Sequence, residues 1–361
     1  MNLKRLLIVL VVSLISVTSF CAVVNLSEGR AILVDGKPFF PICVWQQPDY
    51  LFDYHKYLGI NSILCPPAGE DKLEYLKACL NKGLYVFTAY RDEFKNHPAV
   101  LGWIVINRYN PELVKKKCEE LKNIDPNHLV YVHLSIDEIL NFKPEEKEKY
   151  ETIFEKADVA GCHVYPMGMN LPGKLDMVGD VVDFMNKYSK GKMAPLIDLE
   201  CAKLEKGKRI GTPPTPAQVR CEIWEAIVHG AKAICYFTIS FEPFVWSQIP
   251  ARNEMVLKYN NDLIQRLKEV ILLGKEDVKV EKEVEEGLNI STMVKRDDKD
   301  IYIFAVNTAN QEGRVKFKID KQYVVKEIKN YEEKRELNIK DNIFEEEFAP
   351  YEVKIYLAKL K

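Results

Sequence analysis

Nine cysteines are scattered through the chain, but none forms a CxxC pair and none stands at a zinc-type spacing from the six histidines. That excludes a thioredoxin-type redox motif and a sequence-local zinc site. Cys43, Cys65, Cys162, Cys201 and Cys235 fall in or just after strand-like runs, and Cys79, Cys118 and Cys221 in helix-like ones. They read as buried free thiols, not as a disulfide framework. HxH and HExxH are also missing, so His133, His163 and Asp198 would meet as metal ligands only through the fold, and no metal is expected. Neither GxGxxG nor GxxxxGK[ST] occurs, and no other motif requires a cofactor. Lys and Arg total 51 against 53 Asp and Glu, a net charge of −2. That balance offers nucleic acid or an anionic membrane no broad field.

Long apolar runs are equally scarce; only one occurs. Lys4 and Arg5 precede an apolar stretch from Leu6 to Phe20, the layout of a secretory signal. Residues 1–22 are read as that signal, with cleavage after Ser19, and the protein as exported: extracellular, periplasmic or at the cell surface. Lipid attachment at Cys21 fits less well, because bulky Phe20 precedes it. An uncleaved anchor is the other reading, although the run is short of the roughly 20 residues a span needs.

What the chain does have is alternation. Asp35-Gly36 marks a hairpin turn. Phe39–Trp45 is a short apolar strand. Strand-like Ser62–Leu64, Tyr85–Thr88, Val100–Ile106, Leu129–His133, Val159–His163, Ala194–Leu199 and Ala233–Phe237 follow, separated by helix-like segments. Only a short linker with Arg91 and Asp92 precedes Val100. Strands alternating with helices predict a parallel sheet, and eight units of this size predict a (β/α)8 barrel over 30–274. From Lys275 the pattern becomes short, alternating and β-rich, which predicts a small antiparallel β-sandwich over 275–361.

Strand parity places the candidate residues. Ile197 and Leu199 suit the helix side, so Asp198 and Glu200 face inward near the C-terminal mouth. Tyr131, His133 and Ser135 face inward on one strand, and Gly161, His163 and Tyr165 on the next. Trp103, Val105 and Asn107 share a face. Polar and aromatic residues therefore gather at one end: Trp45, Gln46, Tyr90, Asn107, Arg108, His133, His163, Tyr165, Asp198 and Glu200. That is the end at which such barrels bind substrates. Phe241, Phe244 and Trp246 add an aromatic wall after the last strand, and the basic loop Cys201–Thr215 adjoins it. Aromatic faces that stack on sugar rings, beside groups that bond hydroxyls, point to an oligo- or polysaccharide partner. Retaining cleavage of one needs two carboxyl groups roughly 5–5.5 Å apart.

Asp35-Gly36-Lys37-Pro38-Phe39-Phe40-Pro41, His97-Pro98-Ala99-Val100-Leu101-Gly102-Trp103, Ala157-Asp158-Val159 with Tyr165-Pro166, and Gly230-Ala231-Lys232-Ala233-Ile234 resemble segments of the clan A glycoside hydrolases, families 2, 5 and 42. The resemblance spans about residues 30–360. It implies a nucleophile at Glu200 and an acid/base Glu after Asn107, where this chain has Arg108. Three readings follow. In the first, a hydrolase uses Glu200 with a displaced donor such as Asp198 or Glu242. In the second, a catalytically degenerate barrel binds glycans without cleaving them, Arg108 pairing with Glu200 or with an acidic sugar. The third is a structural surface protein.

Overall fold

The computed structural model describes residues 22–105, 110–206 and 209–361. Residues 1–21 of the signal-like segment, Cys21 among them, and the site candidates Asn107 and Arg108 lie outside the described residues.

Val24–Leu26, Ile32–Val34 and Lys37–Pro38 form a three-stranded antiparallel sheet. Asp35 (φ 50°) and Gly36 (φ 76°) make the two-residue turn whose twist suits a hairpin. Val24, Ile32 and Val34 pack into one apolar cluster with Leu64, Phe87, Leu101 and Leu129. The Val24 amide donates to the Asn127 carbonyl at 2.8 Å. The small sheet thus plugs the N-terminal end of the barrel and leaves the C-terminal end for a site.

The barrel strands, first to eighth, are Ile42–Trp45, Ser62–Leu64, Tyr85–Thr88, Val100–Val105, Leu129–Leu134, Val159–Val164, Ala194–Glu200 and Ala233–Phe237. Each pairs in parallel with its neighbours, and the eighth closes on the first through Ile234, Cys235 and Tyr236. Seven crossovers link them. The third carries only the 3-10 turn Asp92–Phe94, as the short Arg91-Asp92 linker implies. Parity holds in the seventh strand: Ile197 and Leu199 join the outer core, while Leu196 joins the barrel interior. The fourth strand departs from simple alternation. Its register against the third slips between Val86 and Phe87, next to Gly102. Trp103 and Val105 do share a face, but it is the outer one. The Trp103 indole donates to buried Asp125 at 3.2 Å in the helix layer. No described helix is long and apolar enough to cross a membrane.

Beyond helix Ala251–Leu273 the chain forms two antiparallel sheets. Val280–Val284, Gly313–Ile319 and Ile343–Phe348 make one. Ile290–Arg296, Asp300–Asn307, Val353–Leu360, Val325–Asn330 and Glu336–Leu337 make the other. Ile301, Ile303, Phe317 and Phe344 fill the space between the sheets. Phe304, Val306 and Ile355 turn the other way, into the barrel's outer core. Helix Pro216–Val228 lies between the two bodies, with Trp224 stacked on Phe304 at 5.7 Å. Burial on both sides explains why it is apolar nearly all round. Strand Ile343–Phe348 is hidden in the sequence by its run of glutamates. Its Glu346 is buried and held by Arg335 (2.8 and 2.9 Å) and Lys354 (3.1 Å).

An ionic contact fixes the second body to the barrel. His229 Nε2 lies 3.1 Å from Glu225 and Nδ1 lies 3.0 Å from Asp183. Ser291 of the sandwich donates to the same Glu225 oxygen at 2.9 Å. Burial disfavours the imidazolium, but hydrogen bonds and charge from Glu225 and Asp183 outweigh it and lift His229 to about 9. A base raised on folding stabilises fully below its ordinary value of 6.5, and loses that contribution as pH rises through about 9. His229→Gln is therefore expected to cost about 2 kcal/mol near pH 6. Urea unfolding should show that cost fading as the buffer approaches about pH 10; a pH-independent difference would refute the charged contact.

Candidate functional site

The C-terminal mouth carries a continuous aromatic track. Trp45, at the end of the first strand, stacks on Phe237, at the end of the eighth (5.3 Å, 27°). Phe237 meets Tyr165 at 5.6 Å, and Tyr165 meets His163 at 5.5 Å. His163 stacks nearly parallel on His133 (5.6 Å, 12°). The first and eighth strands are neighbours and so are the fifth and sixth, while Tyr165, just past the sixth strand, reaches Phe237 across the end of the seventh. Past the eighth strand, hairpin Ser240–Phe241 with Phe244–Val245 forms a rim. Phe241 lies 6.1 Å from Phe237, and Trp246 meets Phe244 edge-on at 4.7 Å. Buried Gln47 holds that rim by donating to the Trp246 carbonyl at 3.0 Å and to Thr238 Oγ1 at 3.1 Å. Its role is invisible in the sequence, because it depends on a loop almost 200 residues away.

Below the track lies Asp198, almost enclosed. Its Oδ2 is 3.8 Å from His133 Nδ1, and its Oδ1 accepts no hydrogen bond among the described residues. Burial pushes the carboxyl up to about 7, with the Cys235 thiol opposing that rise. Asp198 thus keeps a proton at pH values where an exposed aspartate has lost it. Tyr131 places its hydroxyl beside it, 2.8 Å from His133 Nδ1.

Glu200 is inward by parity but wholly buried. Its Oε1 accepts from the Met167 amide at 2.5 Å and its Oε2 from the Gly168 amide at 2.7 Å. Both oxygens are occupied in clamping the loop after the sixth strand. Behind it, fully buried Glu222 on helix Pro216–Val228 makes no hydrogen bond through either oxygen among the described residues. Burial first, and then the charge of Glu200, drives Glu222 well above its ordinary value. Burial also raises Glu200, against the pull of the two amides.

The structure brings Trp45, His133, His163, Tyr165 and Asp198 together, with Trp246 on the rim. Tyr90 is not among them: its ring packs on Trp103 in the outer layer (5.1 Å) and its hydroxyl donates to Asp92 at 2.8 Å. Its position after the third strand suggests the mouth, and its contacts direct it into the outer layer instead. Gln46 (φ 44°) turns its amide to Cys65 Sγ at 3.7 Å, bracing the first two strand ends. Phe237 and Tyr131 join the site without being among the sequence candidates. Phe237 closes an apolar strand that offers no polar signal. Tyr131 is inward by parity, but the room for its hydroxyl comes from Gly161 on the next strand. Among the described residues no group of three or more His, Cys, Asp or Glu is placed to hold a metal.

No family profile matches the chain, and no curated protein matches it in sequence. Solved structures do match. A family 5 glycoside hydrolase of Bacteroides vulgatus is similar over 93% of both chains, at TM-score 0.59 and 12% identity. The fold is that of a glycoside hydrolase barrel. An α-amylase from Geobacillus thermoleovorans, solved with acarbose, is similar over 86% of this chain and 91% of its own, at TM-score 0.59 and 8% identity. A maltogenic α-amylase from Thermotoga neapolitana is similar over 89% and 99%, at TM-score 0.57 and 9% identity. At such identities the likeness is one of architecture, and chemistry has to be argued from the site itself.

Proposed function

We propose that this glycoside hydrolase-like chain binds a saccharide at the barrel's C-terminal mouth. The carrying observation is the track Trp45–Phe237–Tyr165, which runs directly into the polar group His163, His133 and Asp198. Ring faces take the apolar faces of sugars, and the imidazoles and carboxyl take their oxygens. The acarbose bound by the amylase of similar fold supports a saccharide as the ligand class. The charge-then-apolar layout of residues 1–20 supports export, which N-terminal sequencing of the mature protein would test.

Binding is favoured over ordinary retaining cleavage because Glu200 is wholly buried under the loop whose Met167 and Gly168 amides it holds. To act as a nucleophile, Glu200 would first have to be uncovered. A second reading, slow hydrolysis, is supported by one observation: Asp198 retains a proton to about pH 7, as a donor requires. Calorimetric titration with a panel of oligosaccharides, together with aryl-glycoside assays, separates the two. Saccharide binding is expected, and Trp45→Ala should weaken it by up to about tenfold. Equal binding by Trp45→Ala, or no binding of any saccharide, would sink the proposal. Turnover that is lost in Asp198→Asn and kept in Glu200→Gln would make the second reading the correct one.

A further inference from the structure

A cavity of about 360 Å³ opens at the seam between barrel and sandwich, and it shares no residue with the mouth. Helix Pro216–Val228 supplies one wall through Ala217 and Arg220. The turn after strand Val325–Asn330 and the stretch leading into strand Val353–Leu360 supply the rest. The charges around it are already matched. Arg220 holds both oxygens of Glu332 at 2.8 Å, Arg335 holds Glu333 at 2.8 Å, and Lys354 lies 3.6 Å from Glu352. A charged ligand would therefore enter without a counter-charge. Three polar atoms remain open. Asn330 is only 3% exposed, and its Oδ1 accepts from the Glu332 and Glu333 amides, each at 3.0 Å. Its NH2 group has no hydrogen-bond partner among the described residues, and the side chain lines the cavity. Glu333 holds Arg335 through Oε2, and Glu352 holds the Ala349 amide and Lys354 through Oε2, which leaves each Oε1 as an acceptor.

The remaining wall is apolar, with Ala217, Pro350, Tyr351 and Val353. Tyr351 has a left-handed backbone (φ 60°), rare for a bulky residue. Its amide donates to the Ala309 carbonyl and its hydroxyl to the Pro172 carbonyl, both at 3.1 Å. A backbone held against its preference is a feature of ligand clamps. We propose that this seam is a second saccharide site, taking one or two uncharged sugar residues by contact with Asn330, Glu333, Glu352 and Tyr351. Sugar hydroxyls both accept, as the Asn330 NH2 group requires, and donate, as the two open carboxylate oxygens require. A primary ammonium could use only the carboxylates, and an anion only the amide. The C–H faces of the ring match the apolar wall. The volume is at the small end of the range for small-molecule pockets. Because the residues differ from those of the mouth, this site does not depend on the reading of the mouth.

The Asn330 side-chain amide is itself the reporter. Nitrogen-15 NMR spectra of the full chain would be followed while maltose, cellobiose and lactose are added in turn, with 1,4-diaminobutane and glucuronate as charged controls. At least one disaccharide should shift the Asn330 NH2 signal and the backbone amides of Tyr351 and Glu352, and the controls should not. Ala217→Trp fills the cavity from an exposed position and should abolish those shifts. Asn330→Asp keeps an acceptor for the two backbone amides and removes the donor. It should weaken the responding disaccharide about fivefold, read at Tyr351 and Glu352, and it decides the matter alone if Ala217→Trp fails to fold. No shift with any disaccharide, shifts that persist in Ala217→Trp, or unchanged affinity in Asn330→Asp overturns the site. Larger shifts with diaminobutane or glucuronate overturn the ligand class. Trp45→Ala should leave the seam shifts intact. Seam shifts with no response at Phe237 would sink the mouth reading and leave the seam site standing, and a response at Phe237 alone would do the reverse.

Discussion

Replacing Glu222 with glutamine is expected to remove much of the protein's loss of stability between weakly acid and mildly alkaline pH. Glu222 is fully buried on helix Pro216–Val228, and among the described residues neither carboxylate oxygen has a hydrogen-bond partner. Its nearest charged influence is Glu200, itself enclosed. Two facing acids in such a space cannot both ionise cheaply, so the native state holds protons that the unfolded chain has released. Both folded values lie above the ordinary 4.5. The associated stability is fully present below about 4.5 and is lost as pH rises through the raised values. Each retained proton contributes a slope of about 1.4 kcal/mol per pH unit. Even one such unit is a noticeable share of a typical folding free energy.

Glu222→Gln has the same shape and no proton to hold. Urea unfolding at successive pH values from about 5 to about 8 should therefore lose one proton's worth of slope. At the upper end the variant should be the more stable protein, even though its amide remains unbonded. Glu200→Gln is not expected to behave likewise, because it would set an NH2 group against the Met167 and Gly168 amides. Parallel pH profiles for wild type and Glu222→Gln would show that Glu222 finds a partner not seen here.

The same pair shows where residue-level reading of the chain succeeds and where it stops. Parity carried far in the seventh strand: Ile197 and Leu199 do face the helices, and Asp198 does face the mouth. It succeeds because both neighbouring ladders are regular there. In the fourth strand it misleads. The slip beside Gly102 is a backbone event with no periodic trace, and it leaves Trp103 and Val105 outward. Parity also says nothing about exposure. Glu200 and Asp198 share a face, yet the loop after the sixth strand folds over Glu200 and takes both its oxygens. Contacts of that kind join residues more than thirty positions apart and depend on backbone amides, which every residue possesses. Buried ionic groups mislead in another way. In the Glu345-Glu346-Glu347 run, Arg335 and Lys354 make the middle member a core residue.

Gly161→Ala is expected to be the most damaging single methyl that can be added at the site. The new Cβ would stand 2.0 Å from the Tyr131 hydroxyl and 2.7 Å from its ring carbon Cζ. Relief by backbone movement is blocked, because Gly161 is paired with His133 on one side and Leu196 on the other. Relief by swinging the tyrosine is blocked by Phe87, whose ring centre lies 5.6 Å away. Overpacking of this kind costs about 3 kcal/mol or more. It should also displace the hydroxyl from His133. Combining the two substitutions removes the 2.0 Å contact and leaves the 2.7 Å one. The double variant should therefore recover at least about 1 kcal/mol relative to the sum of the single losses. Urea unfolding of the four proteins measures that coupling directly. Strict additivity would mean that the Tyr131 hydroxyl does not occupy the space above Gly161.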